Sequence, residues 1–521
     1  MAELAYTPVD EIPKIHAELR AGFNSGKLKS IEYRKYQLLQ LAYLVQENAD
    51  RIEKALHSDL GRPAIESRLT AEILSIEINT TIGDALTAYE NVEKWAKPEK
   101  PPFHLNWTLM KPTIYKEAKG VVVIISPFNY PVWLTLGILA GSIAAGNCTV
   151  LKPAESTPAT SSLFAELVPK YLDNDLVRVI NGAVPETTKI LELPWDHILY
   201  TGSGRVAKIV SAAAAKHLTP VTLELGGKSP VIIDPNCDLE SAASRILWGK
   251  VVNAGQTCVA PDYILVPRSF QDTFVDALKK KYQEFYPGAE GPKKDDAYAR
   301  IVTKQAWGRI KGLLDGTKGT VVIGGEVDEQ GKYIAPTIVK DVPGDDSLMS
   351  EEIFGPLLPI VPVEDIDEAI RYVNAHDHPL ALYVFTKDDA VKKKVLTSTQ
   401  SGAFSAGEVL IHPGVEGLPF GGIGPSGSGY HTGKYTFDTF THFRAALDSP
   451  SWLDKILGFR YPPYSDKKLK ATDRFKRKLP AKPTGPPTSL TTTSSWRKWW
   501  VFALAIAIAA GLTKRRAGLA N

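Results

Sequence analysis

The stretch Gly120-Val121-Val122-Val123-Ile124-Ile125 sets the architecture: a short, β-branched, wholly apolar run that reads as a buried strand. Three similar runs follow, Thr149–Leu151, Val177–Ile180 and Ile198–Tyr200. They alternate with helical segments over Leu134–Ala145, Ala159–Tyr171 and Val206–His217. That alternation is the pattern of a doubly wound parallel sheet, in which ligands bind at the strand ends. At the end of one such strand lies Thr201-Gly202-Ser203-Gly204-Arg205-Val206-Ala207, a formal match to the G-x-G-x-x-A fingerprint entering a helix. Backbone N–H groups there can hold a pyrophosphate, or the segment is simply a tight strand-to-helix turn.

Upstream, the chain reads as helical. Ile12, Ile15, Leu19 and Phe23 recur at helical spacing, Ser30 suits an N-cap, and Leu38, Leu41, Val45 and Ile52 continue an apolar stripe that Gly61-Arg62-Pro63 closes. Around Trp95–Pro112 the run Lys97-Pro98-Glu99-Lys100-Pro101-Pro102 forbids a helix and predicts an extended excursion.

Downstream come the candidates for chemistry. Glu224, in Leu223-Glu224-Leu225-Gly226-Gly227-Lys228-Ser229-Pro230, is a carboxylate between leucines, whose desolvation raises its pKa towards the range of a general base. It also lies about where the dinucleotide fingerprint wants a ribose ligand, so two roles compete for it. Cys258, in Ala254-Gly255-Gln256-Thr257-Cys258-Val259-Ala260-Pro261, is the one cysteine in a polar, glycine-bearing turn, where a thiolate can react. A thiol with a tuned carboxylate suggests covalent catalysis followed by hydrolysis.

Composition bounds the rest. The 521 residues, 44% hydrophobic and 23% charged, imply two or three packed domains. Three cysteines, Cys148, Cys237 and Cys258, cannot build a disulfide framework, and no Cys/His cluster has zinc spacing, so a reducing compartment without a structural metal is expected. The first residues lack the basic and apolar regions of a signal peptide. Net charge is +3, but residues 467–521 carry 13 Lys and Arg against Asp473 alone, leaving the body at −9. An acidic body argues against nucleic acid as a partner, and a basic tail points at an anionic surface.

The motifs Phe128-Asn129-Tyr130-Pro131, Lys152-Pro153-Ala154-Glu155, Leu223–Pro230, Gly255–Cys258, Glu351-Glu352-Ile353-Phe354-Gly355-Pro356 and Pro419-Phe420-Gly421-Gly422 occur in the order and rough spacing of the aldehyde dehydrogenase superfamily. Over residues 10–465 the chain resembles that superfamily, and most closely its class 3, fatty aldehyde dehydrogenase-like members. The resemblance implies an α/β fold with a Rossmann-like cofactor domain, an α/β catalytic domain and a small β bridging domain. In these terms residues 1–93 and 115–223 form the NAD-binding domain, 224–424 the catalytic domain, and 94–114 with 425–448 the dimer-bridging segments.

It further implies Cys258 as nucleophile, Glu224 as the base that activates water, and Asn129 as an oxyanion donor, although Asn-Tyr-Pro by itself is a turn. Lys152 and Glu155 fall on the adenine ribose, Gly202, Ser203 and the 204–207 turn on the pyrophosphate, and Glu352 with Phe354 on the nicotinamide end. Without the resemblance, Lys152–Glu155 is a solvated charge pair and Glu351-Glu352 an acidic loop. A carboxylate at 155 repels a 2′-phosphate, so NAD is favoured over NADP, with Lys152 able to offset the repulsion. Ala207 stands where many relatives have Gly. Ser401–Glu408 departs from the family's usual pair of polar residues, and Tyr430-His431-Thr432-Gly433-Lys434 is one residue longer than its usual Tyr-His-Gly-Lys.

The tail is built otherwise. Residues 467–482 hold eight basic side chains and 479–495 are rich in Pro, Thr and Ser, which together read as a linker. Trp499–Leu512 is a 14-residue apolar run flanked by Trp496, Arg497, Lys498 and Lys514-Arg515-Arg516. Its length of about 21 Å as a helix is short of the roughly 30 Å hydrocarbon core. The interfacial tryptophans and snorkelling cations nevertheless favour a membrane anchor over residues 496–516, with the catalytic body facing the cytosol, against a helix packed on a partner subunit. Trp452–Phe459 is amphipathic, and residues 449–466 are expected to form either a lid over the substrate funnel or a helix on a neighbouring subunit. The expectation is an NAD-dependent, homodimeric, tail-anchored dehydrogenase for fatty aldehydes. The alternatives are an anchored enzyme for short or aromatic aldehydes and a catalytically silent membrane scaffold.

Overall fold

Two hydrophobic cores, each built on its own sheet, divide the first 448 residues. The structure, a computed structural model, describes residues 4–68, 77–294, 296–473, 476–483 and 485. The first sheet has six strands in the order Gly427–Ser428, Val221–Leu225, His197–Gly202, Val121–Ile125, Cys148–Lys152 and Val177–Val179. All neighbours are parallel except the first pair. Val121–Ile125 lies inside it, and every side chain of that strand is buried, which is why the run carries no alternation: each such residue contributes about 1.5–3 kcal/mol and both faces are covered.

Helices Ile12–Asn24, Ile31–Glu47, Ala49–Leu60, Ile78–Ala96, Ile138–Ala145 and Pro158–Tyr171 contribute to that core. Ser30 caps its helix by accepting the Tyr33 N–H at 3.2 Å. The stripe from Leu38 to Ile52 is broken at Asn48, where one helix ends and the next begins. Leu134 belongs to a π-helical turn, Trp133–Gly137, that precedes the α-helix, so the predicted helix over 134–145 starts in a wider coil. Trp95 still lies in a helix ending at Ala96, and Leu105–Thr108 adds a single helical turn within the otherwise irregular excursion.

The second sheet has seven strands in the order Ala403–Ala406, Ala381–Phe385, Pro230–Ile233, Tyr263–Pro267, Leu357–Val363, Thr337–Lys340 and Thr320–Ile323, parallel but for the last pair. The chain therefore leaves the first sheet after Leu225, builds the second, and returns at Gly427.

The bridging boundaries fall differently from the sequence expectation. Thr113–Ala118 pairs antiparallel with Thr441–Ala446 as a two-stranded ribbon, so the 94–114 segment stops one residue after the strand begins. Within 425–448, Gly427–Ser428 joins the cofactor sheet, and Phe437 and Phe440 are buried in its core.

Residues from 449 onward form a separate unit. Instead of one lid helix, 449–466 holds three single turns, Ser451–Leu453, Asp454–Leu457 and Gly458–Arg460, with Arg460 and the Tyr461 hydroxyl both donating to Asp454 Oδ1 at 2.8 and 2.9 Å. The run leaves helical geometry at Leu457, at φ −99° and ψ 3°. A further helix, Asp466–Thr472, follows. The expected anchor, residues 496–516, lies outside the described residues. Among those described, no helix is long and apolar enough to cross a membrane.

Candidate active site

Glu224 is the fourth residue of the strand Val221–Leu225 and faces the return strand at Gly427. It is 2% exposed, and neither carboxylate oxygen has a hydrogen-bond partner among the described residues. Burial pushes its carboxyl up to about 8, the direction its flanking leucines predict; the Cys258 thiol offsets part of the shift and Glu352 adds to it. Glu352 is likewise pushed up to about 8, by burial first and then by Asp262. The glycine at 226 makes this crowding feasible: a Cβ there would sit 2.3 Å from the Glu352 carboxylate.

Cys258 follows the helix Leu239–Val251 through the tight turn Val252–Gly255, in which Asn253 and Ala254 both take a left-handed φ of 53°. Two such non-glycine residues cost about 1–3 kcal/mol each and must be held by their surroundings. Asn253 Nδ2 donates to the Asn129 carbonyl at 2.9 Å and the Gln256 carbonyl at 3.0 Å, and the Asn253 N–H donates to Glu66 Oε2 at 3.0 Å. Gln256 donates to the Asn253 and Arg300 carbonyls and accepts from the Val302 N–H. Beyond the cysteine, the Tyr383 hydroxyl donates to the Val259 carbonyl at 2.6 Å. Burial pushes the Cys258 thiol well above the ordinary range, reinforced by Glu224 and Glu352. Cys258 is half-buried where the cleft opens on it, and its thiol is held towards the protonated form until a base removes the proton.

Asn129 lies in the loop after Val121–Ile125 and is 3% exposed; its side-chain amide has no protein partner among the described residues. Its backbone is fixed from below. Arg62, fully buried, donates to the Asn129 carbonyl, to Asn253 Oδ1 at 2.8 Å and to Glu77 Oε1 at 2.7 Å. Glu77 Oε2 in turn accepts the Val132 and Trp133 N–H groups at 3.1 and 2.8 Å. One buried ion pair thus ties the Asn129 loop to the Cys258 loop.

The cofactor candidates line the carboxyl ends of the first sheet. Lys152 closes its strand, is 4% exposed and pairs with Glu155 Oε2 at 2.8 Å. Gly202 ends the strand His197–Gly202, and Ser203 caps helix Gly204–Ala215. Arg205 is exposed and Val206 half-buried, while Ala207 is buried in the core beneath, a packing position. Phe354, at a φ of 46°, meets Phe128 edge-on at 5.7 Å. Its loop is pinned by Arg309, which donates to the Glu352 and Ile353 carbonyls at 3.2 and 2.6 Å, and by Asp262, which accepts the Ile353 N–H at 3.1 Å.

On Cys258 opens a cleft lined by Tyr130, Trp133, Trp248, Ile411 and Phe420, a largely apolar wall. Residues 403–406 form an edge strand and do not line it. His431 is buried against Phe420 and Trp133, at 5.0 and 5.9 Å between rings, and burial pushes it down to about 4, so it is neutral there.

Arg62, Glu77, Asn253 and Tyr383 had no role in the sequence reading. Only Arg62, an Arg between Gly61 and Pro63 at a helix end, carries a faint signal, because the loops it joins lie 67 and 191 residues away.

The aldehyde dehydrogenase family model matches residues 1–446. "Aldehyde dehydrogenase family 3 member B1" of Rattus norvegicus is 44% identical over 453 residues, 87% of this chain and 95% of the relative. "Aldehyde dehydrogenase family 3 member A2" of Mus musculus is 44% identical over 87% of this chain and 91% of its own length. "Aldehyde dehydrogenase, dimeric NADP-preferring" of Rattus norvegicus is 45% identical over 85% and 96%. Among solved structures, the substrate-bound state of Staphylococcus aureus AldH superposes with a TM-score of 0.84 at 38% identity, covering 89% of this chain and 99% of that one. With its two-sheet fold, its thiol between two buried carboxyls and these likenesses along most of its length, the chain belongs to the aldehyde dehydrogenase family of oxidoreductases.

Proposed function

We propose that the protein oxidises medium- and long-chain aliphatic aldehydes to carboxylic acids, with NAD as the favoured acceptor, as a homodimer anchored to a membrane by its tail. The observation that carries this reading is the apolar cleft opening on a thiol that is electrostatically coupled to the buried, unpartnered Glu224.

The residues fit a nicotinamide dinucleotide. Gly204 opens the helix start, where an added Cβ would meet nothing within 4 Å, Lys152 and Glu155 stand at a strand end, and Glu352 Oε1 is buried without a partner. Bound there, the cofactor would accept the hydride.

The chain's own groups supply the rest. Cys258, losing its proton to Glu224, adds to the aldehyde carbonyl. The Asn129 amide and the Cys258 N–H donate to the oxygen as it gains charge. Loss of hydride leaves a thioester on Cys258. Glu224, after releasing the thiol's proton to solvent, takes a proton from water, whose oxygen attacks the acyl carbon; the C–S bond breaks, the acid leaves, and Glu224 returns its proton to the sulfur.

Glu155 favours NAD by repelling a 2′-phosphate, and Lys152 at 2.8 Å limits the preference. The basic residues 467–482 and the apolar run 499–512 support a cytosol-facing enzyme on an anionic membrane. The exposed Tyr115 and Phe443 of the ribbon support a subunit contact.

The test is NADH formation by the full chain in detergent micelles with aldehydes from acetaldehyde to hexadecanal, with Cys258→Ser as control. A rise of kcat/KM with chain length, lost in the variant, is expected. A preference for short or aromatic aldehydes refutes the lipid substrate, and no turnover at all leaves the scaffold reading.

A further inference from the structure

Trp133 stands in the cleft wall, yet its indole is not free to choose its angle. Its Nε1–H donates to Asp84 Oδ2 at 2.9 Å, and Asp84 comes from the middle of helix Ile78–Ala96, away from the cleft. Two features make that contact. The backbone from Trp133 to Gly137 is π-helical, a wider coil that appears mostly as a local device near functional sites. Gly137, one turn on, leaves the space: a Cβ there would lie 2.8 Å from Trp133 Cδ1 and 2.9 Å from Asp84 Oδ2. On its other side the indole meets Phe420 at 6.3 Å and the neutral His431 at 5.9 Å, and Phe420 lines the same cleft. The wall beside Cys258 is therefore an aromatic cluster anchored through one hydrogen bond from outside.

We infer that Asp84, acting through the Trp133 indole, is a positioning residue that fixes the width of the cleft beside Cys258 and so selects unbranched over α-branched aldehydes. Held by Asp84 and tilted 39° against Phe420, the indole would admit a chain of methylenes and exclude a branch at the carbon next to the carbonyl. Burial pushes the Asp84 carboxyl up to about 7 and the indole N–H pulls it back; ionised or neutral, it keeps an oxygen that accepts the indole N–H.

This inference rests on the aldehyde reading of the site, so it is tested in two ways with the full chain in micelles. The first is the ratio of kcat/KM for octanal to that for 2-ethylhexanal. Trp133→Val is expected to lower the ratio by about tenfold or more, the scale of one or two methylenes in an apolar pocket. Asp84→Ala and Trp133→Phe, which each delete the bond, are expected to lower it by about three- to tenfold, the worth of one hydrogen bond. Asp84→Asn, whose Oδ1 can still accept from the indole, is expected to keep most of the selectivity. The second is the rate of Cys258 alkylation by straight and branched N-alkyl iodoacetamides, which reads the cleft without any oxidation. If no aldehyde is oxidised but the alkylation ratios shift as stated, the function fails and the wall stands. If Trp133→Phe and Asp84→Ala keep the wild-type ratios in both assays, or Asp84→Asn loses as much as Asp84→Ala, the inference is overturned. Trp133→Phe keeps the test open should Asp84→Ala not fold.

Discussion

Arg62→Met removes a guanidinium that is fully buried with its partner: the Arg62–Glu77 pair lies at 2.7 Å with both side chains at 0% exposure. Breaking a buried pair from one side leaves an uncompensated charge and costs about 3–5 kcal/mol. Glu77 keeps the Val132 and Trp133 N–H groups, which places the loss towards the lower part of that range. The loss is also pH-dependent. Burial already holds the Glu77 carboxyl above its ordinary value, and Arg62 is the largest opposing influence; without Arg62 it rises further. A carboxyl raised in the folded state favours folding below its unfolded pKa and loses that contribution as pH rises through the folded value. The destabilisation should thus be smaller at pH 5 than at pH 8, read as guanidinium unfolding midpoints by circular dichroism. Arg62 also holds the Asn129 carbonyl and Asn253 Oδ1, and a shift of about 1 Å in a reacting group costs up to 10²-fold, so kcat should fall on that scale. In Arg62→Met with Glu77→Gln, much of the stability should return and the activity should not, because the Asn129 carbonyl and Asn253 Oδ1 still lack the guanidinium that joins them. A loss below about 1 kcal/mol at both pH values, which is ordinary for any substitution, would refute the buried-pair argument; recovery of activity with stability would refute the positioning role.

Three further outcomes are expected. Glu224→Gln, which removes the base of both the thiol and the water steps, should lose the NADH burst and lower steady-state turnover about 10²–10⁴-fold; a stopped-flow burst and steady state left unchanged would place the base elsewhere. Because Glu224 must be unprotonated to act and is pushed up to about 8, wild-type deacylation should rise with pH through that value. Glu352→Gln, which removes a like charge from beside it, should move the midpoint to lower pH, and an unmoved midpoint would contradict the coupling. Glu155→Ser should raise the ratio of NADP to NAD utilisation by at least about tenfold, a change of ~1.4 kcal/mol; an unchanged ratio would free Glu155 of the 2′ position.

The sequence carried some of this arrangement and not the rest, for physical reasons. Val121–Ile125 was legible because a strand buried on both faces has no polar residue to blur it. Ser30 and the 202–207 turn were legible because caps and turns are local. Cys258, Glu224 and Asn129 stood out through motifs, but their electrostatic coupling did not: the half-buried thiol is raised by desolvation and by two carboxyls that no local pattern places beside it. Arg62 and Asn253 escaped because their work is done across 67 to 191 residues of chain, and no local pattern marks a partner so distant. The break at Asn48 escaped because an apolar stripe continues across two helices that share a face.

The return of the chain at Gly427–Ser428, beside Glu224, has a consequence for how the protein is made. The first sheet is left unfinished at Leu225 and completed only after the whole second sheet has been synthesised. A nascent chain that has emerged as far as Cys258 carries the thiol but lacks the strand flanking Glu224, as well as Tyr383, which holds the carbonyl after the cysteine. The surroundings of Cys258 and Glu224 are therefore completed only by residues that follow the whole second sheet in the chain. Cutting the gene after Leu225 accordingly leaves that strand as an open edge.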